Sequence, residues 1–159
     1  MTIERVTPQS VGLVLPRLLE MVREVCRLHE SWDPAKFSYL PDVVDRYARW
    51  LPQRAADPRS VLAIAREGDA IVGFLVASTE REIPVYRLSE FLFVHDMFVE
   101  PACRGRGLGR LLMQHALERA REIGVTQLRL DVARANEPAR RLFESCGFRV
   151  SVSEMLREI

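Results

Sequence analysis

Two hydrophobic periods run through the chain, and the places where one gives way to the other outline its elements. Val11, Val14, Leu15, Leu18, Val22, Val25 and Cys26 recur at helical spacing, which predicts a helix over 10–29. Pro16 lies inside that window and marks either a kink or the true start. A first strand is predicted over 2–7 and a second helix over 42–54. Between the two helices, Ser31 to Pro41 reads as a loop, with two prolines and three exposed aromatics. Strands over 60–66 and 70–78 are joined by the turn Glu67-Gly68-Asp69. A connection containing Pro84 leads to an apolar strand over 91–99. Next come a helix ending at Ile123 with Gly124 as its cap, a strand over 126–132 and a helix over 137–146. A last strand or two is expected before the end. This order predicts one α/β domain, residues 1–159, built on a single mixed sheet with no repeat or linker.

Strand 91–99 runs into Glu100-Pro-Ala-Cys-Arg104-Gly-Arg-Gly-Leu-Gly-Arg110, a glycine-punctuated turn opening a helix. Glycines at 105, 107 and 109 permit a tight bend and a close backbone approach to a ligand. The first N–H groups of the helix have no intrahelical partner and stand at the positive end of its dipole. With Arg104, Arg106 and Arg110 around them, they form a candidate anion site for a phosphate or pyrophosphate carrier. A P-loop would need Lys and Ser or Thr after the last glycine, where Arg110 and Leu111 stand. A dinucleotide fingerprint would need G-x-G-x-x-G, whereas the spacing here is G-x-G-x-G.

A second motif follows the next strand. Asn136 is a good helix N-cap, Pro138 suits the first turn, and Ala139, Leu142, Phe143 and Cys146 mark one helical face before Gly147 and Phe148. Arg104-x-x-Gly107-x-Gly109 resembles the acyl-CoA pyrophosphate loop, [RQ]-x-x-G-x-[GA], of the GNAT superfamily of N-acyltransferases. Asn136, Ala139, Leu142, Gly147 and Phe148 are similar to that family's N-x-x-A-x-x-L-Y-x-x-x-G-F, at the usual distance after the loop. The resemblance covers roughly residues 60–150.

That resemblance implies a mostly antiparallel sheet, flanked by helices, whose central strands splay apart to admit a pantetheine arm. Met97, Phe98 and Val99 match the positions whose backbone pairs with the arm, and Met97 or Phe98 would offer an N–H to the reacting carbonyl oxygen. Arg104, Gly105, Arg106, Gly107, Leu108, Gly109 and Arg110 would hold the pyrophosphate of acetyl-CoA, the implied cosubstrate. Asn136 matches a position that often reaches the arm, with a plain N-cap as its rival role. Phe143 stands where many members carry a tyrosine able to protonate the departing thiolate, so no general acid is assigned; Ser145 and Cys146 are its nearest polar neighbours.

Transfer to an amine needs a base, because an ammonium has no free lone pair. His95 and Asp96 interrupt the apolar run of strand 91–99, and burial of such groups costs free energy unless they are paired or solvated. His95 stands where diamine acetyltransferases carry a glutamate base, and an imidazole titrating near 6.5 accepts protons at neutral pH. Its rival role is a satisfied core histidine; Glu80 and Glu90 are weaker alternatives as base. His29 and His115 read as structural. Cys103, beside the loop, carries no sign of a nucleophile. Trp32, Asp33, Phe37, Tyr39 and Asp42 lie where the family shapes its acceptor pocket, as a cation-holding set or as a latch over the core.

Composition narrows the reading. A formal net charge of +1 argues against a dedicated nucleic-acid surface. Most of the basic residues are arginine, and Arg119, Arg121, Arg140 and Arg141 read as solvated helix-face positions. No apolar run is long enough to span a bilayer, and the N-terminus lacks the form of a secretion signal. Cys26, Cys103 and Cys146 are too widely spaced for a disulfide framework or a zinc site, so no metal is expected and a reducing cytoplasm is the natural compartment. The expected activity is acetyl transfer to the primary amine of a small molecule. A protein or peptide amine, a non-catalytic acyl-CoA-binding module and an unrelated nucleotide binder are the alternatives. An unpaired last strand would offer a homodimer edge.

Overall fold

The computed structural model describes residues 1–159. Strand β1 (Thr2–Arg5) precedes helices α1 (Val11–Trp32) and α2 (Val43–Ala56). Three long strands follow: β2 (Ser60–Glu67), β3 (Ala70–Arg81) and β4 (Glu90–Val99). A 3₁₀ turn (Pro101–Cys103), α3 (Leu108–Ile123), β5 (Leu128–Leu130) and α4 (Glu137–Ser145) complete the order. The strands lie side by side in sequence order, antiparallel except for β4 and β5, which run parallel.

Helices cover both faces of this sheet, so its inner strands are apolar on both sides. On one face, Leu18, Met21 and Val22 of α1 and Leu51 of α2 pack on Leu62, Ile64, Phe74 and Val76. On the other, Leu108, Leu112, Met113 and Ala116 of α3 meet Ala63, Leu75, Leu92 and Val94, and Phe143 of α4 joins them. Pro16 sits within α1 rather than at its start. Arg17 ties α1 to the sheet, donating from Nη2 to Glu100 at 2.5 Å and from Nε to the Ile71 carbonyl at 3.3 Å.

One irregularity governs the middle of the sheet. Val76 pairs with Asp96 and Ala77 with Val94, so His95 is an extra residue in β4, a β-bulge. Below it, Leu92 and Val94 face α3; above it, Met97 and Val99 keep that direction, while Asp96 and Phe98 turn to α1 and α2. Strict alternation would set His95 and Asp96 on opposite faces. The bulge instead turns Asp96 onto the face that His95 already shares with Phe93, so that both look toward α2, where His95 meets Trp50 and Asp96 meets Tyr47.

Beyond the bulge the sheet opens. Pairing of β4 with β5 covers only Leu92 to Val94, while pairing with β3 continues to Val99. The strand predicted over 126–132 is thus three residues long, and from His95 onward one edge of β4 has no strand beside it. Two other expectations are corrected. Residues 148–159 form neither helix nor strand. Alternating Val150 and Val152 remain 69% and 84% exposed, because alternation makes no strand without a partner edge, and the edge expected to pair across a dimer does not form. Arg119 is not on the solvated face, its side chain being only 16% exposed and donating to the Pro58 carbonyl.

Gly73 sits where β3 and β4 approach most closely: a Cβ there would lie 2.7 Å from the Phe98 carbonyl oxygen. Gly73→Ala is expected to lower stability by about 1–3 kcal/mol, since backbone must move. Gly12→Ala, which meets nothing within 4 Å, is the control. Urea unfolding midpoints check both, and an unchanged Gly73→Ala midpoint would show that the ladder yields freely.

Candidate active site

The open edge of β4 is the first component. Glu100 donates its N–H to the Val72 carbonyl, and in an antiparallel ladder such bonded pairs alternate. By the register, Phe98 pairs with Phe74 and Asp96 with Val76 in the bonded phase, so their backbone groups face β3. Met97 and Val99 fall in the other phase and present their N–H and C=O groups to the gap. Sequence alone left Met97 and Phe98 level as candidate donors; the register separates them in favour of Met97. Phe98 instead buries its ring against α1 and α2 at 5% exposure. The Val99 carbonyl accepts from Nε of Arg104 at 2.9 Å.

The loop after β4 is the second component. Gly105 and Gly107 adopt left-handed φ of 74° and 86°, a region closed in practice to residues with a Cβ. Gly107 caps α3 without a side chain, and the first bond of the helix is Leu111 N–H to the Gly107 carbonyl at 3.1 Å. No backbone N–H from Gly105 to Arg110 donates to another protein atom, which leaves six donors in one turn at a helix N-terminus. Gly109 is needed for packing: a Cβ there would lie 2.7 Å from Cδ2 of Leu142 in α4.

The loop arginines are less free than their charge suggests. Arg106 forms an ion pair with Glu67, and the guanidinium of Arg110 donates to the Ser145 carbonyl at 3.1 Å and hydroxyl at 2.9 Å. Ser145 is occupied twice over, since its hydroxyl donates to the Leu142 carbonyl at 2.7 Å. This cradle of backbone donors and glycines fits a pyrophosphate group.

His95 is the third component. Its ring lies edge-on to Trp50 at 5.1 Å and against Phe93 at 5.1 Å. Nε2 lies 2.6 Å from Oγ of Ser78, and Ser78 donates to Oε1 of Glu80 at 2.8 Å. Burial lowers the His95 pKa and Arg54 adds to this, opposed by the nearby charge of Glu80, so the ring is neutral at pH 7. Asp96 is 8% exposed, accepts from the Tyr47 hydroxyl at 2.7 Å, and has its pKa raised by burial. Glu90, the other acid considered as base, pairs with Arg59 at 2.5 Å.

Asn136 does serve as an N-cap, its side chain accepting from the Ala139 N–H at 3.3 Å. Phe143 is 8% exposed, rests on Phe148 with ring centroids 5.9 Å apart, and brings no polar atom to the cleft.

Of these residues His95 and Phe143 line a cleft of about 1540 Å³ that also takes in the end of α1, the loop to α2 and residues 148–156; Met97, Val99, the loop from Gly105 to Arg110 and Asn136 lie outside its lining. Trp32, Phe37 and Tyr39 line it and are half-buried rather than exposed; Asp33 lines it as well. Asp42 turns away to pair with Arg46 at 2.9 Å. His29, read as structural, proves to be a cleft residue: it stacks on Phe37 at 4.7 Å and its Nδ1 lies 3.0 Å from the Tyr39 hydroxyl. Tyr47, Trp50 and Ser78 went unnoticed in the sequence. Only Ser78 left a trace there, as the polar residue closing the apolar run from Ile71.

Known proteins resemble this chain in sequence and in fold. Residues 23–148 match the model of the acetyltransferase (GNAT) family. Streptothricin acetyltransferase from Streptomyces lavendulae is 37% identical over 93 residues, 58% of this chain and 46% of that protein. Mycothiol acetyltransferase from Segniliparus rotundus is 28% identical over 126 residues, 79% of this chain and 45% of that one. The chain thus spans about half the length of these curated relatives. A mutant of the BH1408 protein from Bacillus halodurans superposes with a TM-score of 0.82 at 19% identity, over 100% of this chain and 99% of that chain, a likeness of fold. On the match over 23–148, the chain belongs to the acetyltransferase (GNAT) family of N-acetyltransferases.

Proposed function

We propose that residues 1–159 act as one N-acetyltransferase domain that moves an acetyl group from acetyl-CoA to the primary amine of a small molecule, by direct attack in a ternary complex. The observation that carries this reading is the placement on one strand, β4, of a neutral histidine and, two residues on, an unpaired backbone edge leading into the six-donor turn. The relatives named above are acetyltransferases of streptothricin and mycothiol, which supports a small-molecule acceptor. No helix is long and apolar enough to cross a membrane, and we place the domain in the cytoplasm.

When bound, the cosubstrate supplies a thioester carbonyl carbon open to attack. Backbone donors from Gly105 to Arg110 hold its pyrophosphate, with Arg104, Arg106 and Arg110 around them. The edge at Met97 and Val99 aligns its arm, beside Phe98, Asn136 and Phe143. Met97 N–H faces the gap and stabilises the oxygen as negative charge develops. His95 takes a proton from the attacking amine, directly or through a water. Aromatic rings at the cleft mouth, Trp32 and Phe37, hold the cationic acceptor before it loses that proton. A second reading, a non-catalytic acyl-CoA module, draws on Phe143, which has no proton to donate; CoA release with any amine excludes it.

Three outcomes are expected. Acetyl-CoA at about one hundred times its Kd adds about 2.7 kcal/mol of stability, raising Tm by about 5–10 °C, while ATP leaves it unchanged. No shift with acetyl-CoA would remove the cosubstrate assignment. His95→Ala lowers kcat by about 100-fold or more with little change in acetyl-CoA affinity, and retained turnover would remove the base. Because burial lowers the His95 pKa, the base stays neutral until below pH 6.5; kcat at saturating amine therefore holds through neutrality and falls only on further acidification.

A further inference from the structure

Ser78 extends the site beyond the residues that the sequence singled out, and it joins Glu80, there an alternative base, to His95. The inference rests on the reading of His95 as base. Ser78 is 2% exposed, the partner of Phe93 across β3 and β4, and it reaches His95 because that ring shares the face of Phe93, on the α2 side of the sheet. Its hydroxyl has one proton. The Glu80 carboxylate, 2.8 Å away, can only accept, so that proton lies between Ser78 and Glu80. The serine oxygen then has only lone pairs to offer Nε2 of His95 at 2.6 Å, and Nε2 must carry the hydrogen.

We propose that Ser78 and Glu80 are positioning residues that fix the His95 tautomer, with hydrogen on Nε2 and the lone pair on Nδ1, so that Nδ1 is the atom that takes the proton from the acceptor amine. Nδ1 makes no hydrogen bond to the protein, and the side chain is 28% exposed in the cleft. Trp50 and Phe93 hold the ring plane from two sides. The remaining charged groups around the ring are few. Arg54 of α2 opposes protonation, Glu80 favours it from 3.5 Å, and Asp96 on the same strand bonds to Tyr47 rather than to the ring.

The proton balance closes within the relay. When Nδ1 gains the amine proton, the Nε2–H bond to Ser78 and the Ser78 bond to Glu80 both remain, and the carboxylate faces a positive ring through one hydroxyl. No proton needs to pass to Glu80. Release of the Nδ1 proton to water restores the base in the same tautomer. A free imidazole would have to redistribute between two tautomers, and an Nδ1–H form has no lone pair on the cleft side.

Long-range ¹H–¹⁵N spectra of the wild-type protein, which require no activity, should show His95 protonated on Nε2 alone at neutral pH. Ser78→Ala should mix the tautomers and lower kcat by about 10- to 100-fold, leaving acetyl-CoA affinity unchanged. Glu80→Gln, which changes a half-exposed side chain and keeps an acceptor for the serine, should retain the tautomer. It should move the acid limb of kcat to lower pH, since the charge favouring the imidazolium is gone. A wild-type ring protonated on Nδ1, or a Ser78→Ala variant with unchanged tautomer and kcat, would overturn the relay. Turnover retained in His95→Ala overturns the base reading instead, so the two failures are told apart.

Discussion

The single extra residue in β4 sets the direction of every side chain that follows it, and the site depends on that direction. Without the bulge, Asp96 would follow Leu92 and Val94 into the apolar cluster beneath α3, where no polar group waits for it. An unpaired carboxyl there would cost several kcal/mol or take up a proton. With the bulge, Asp96 meets the Tyr47 hydroxyl, Phe98 fills the α1 and α2 core, and Met97 and Val99 keep facing α3. His95, as the extra residue, is released from the ladder register and lies over Ser78. The same stretch of β4 is where β5 departs. Backbone shape and side-chain placement therefore change together within a few residues, and the exposed edge and the histidine share one location because of it.

The proposed anion cradle follows a different logic, in which backbone supplies the donors and side chains hold the frame. Arg106 and Arg110 are engaged with Glu67 and with Ser145, so they brace the loop between β2 and the end of α4. Gly105 and Gly107 turn the chain so that consecutive N–H groups point outward, and Gly109 lets α3 press against Leu142. Arg104 bonds the Val99 carbonyl and thereby ties the loop to the open strand edge. Donors held this way lose little freedom when an anion arrives.

Most of this architecture was legible because it rests on local rules. Helical spacing located α1 and α3, and Gly124, left-handed at φ 89°, ends α3 where expected. The glycine spacing of 105–109 stated the loop's geometry directly. What the sequence concealed is what depends on pairing between distant strands. Nothing in Phe-Val-His-Asp-Met marks His95 as the bulged residue, because a bulge is a property of two strands and their register. Strict alternation accordingly gave the wrong relation between His95 and Asp96, and left Met97 and Phe98 equivalent. Ser78 lies seventeen residues from His95 in the chain and is joined to it only by that register. The tail erred in the opposite sense: Val150 and Val152 alternate as a strand should, yet no free edge receives them.

The asymmetry between a well-held base and a missing acid is chemically coherent on the proposed reaction. An alkylammonium with a pKa near that of lysine, about 10, must lose its proton before it can attack, and neutral pH does not supply that form in quantity. A thiol resembles cysteine, with a pKa of about 8.5, so its anion is a tolerable leaving group that water can protonate afterwards. The demand for a proton acceptor is therefore stricter than the demand for a proton donor. Phe143 occupies the position of the absent hydroxyl as a core residue, closing the space between α4 and the sheet against Phe148. A hydroxyl in that place would need a partner in an apolar setting. On that reaction the polar contacts of Ser78 with Glu80 and of Asp96 with Tyr47 gather on the side of the cleft where the amine proton would depart, and the thiolate side is left to packing.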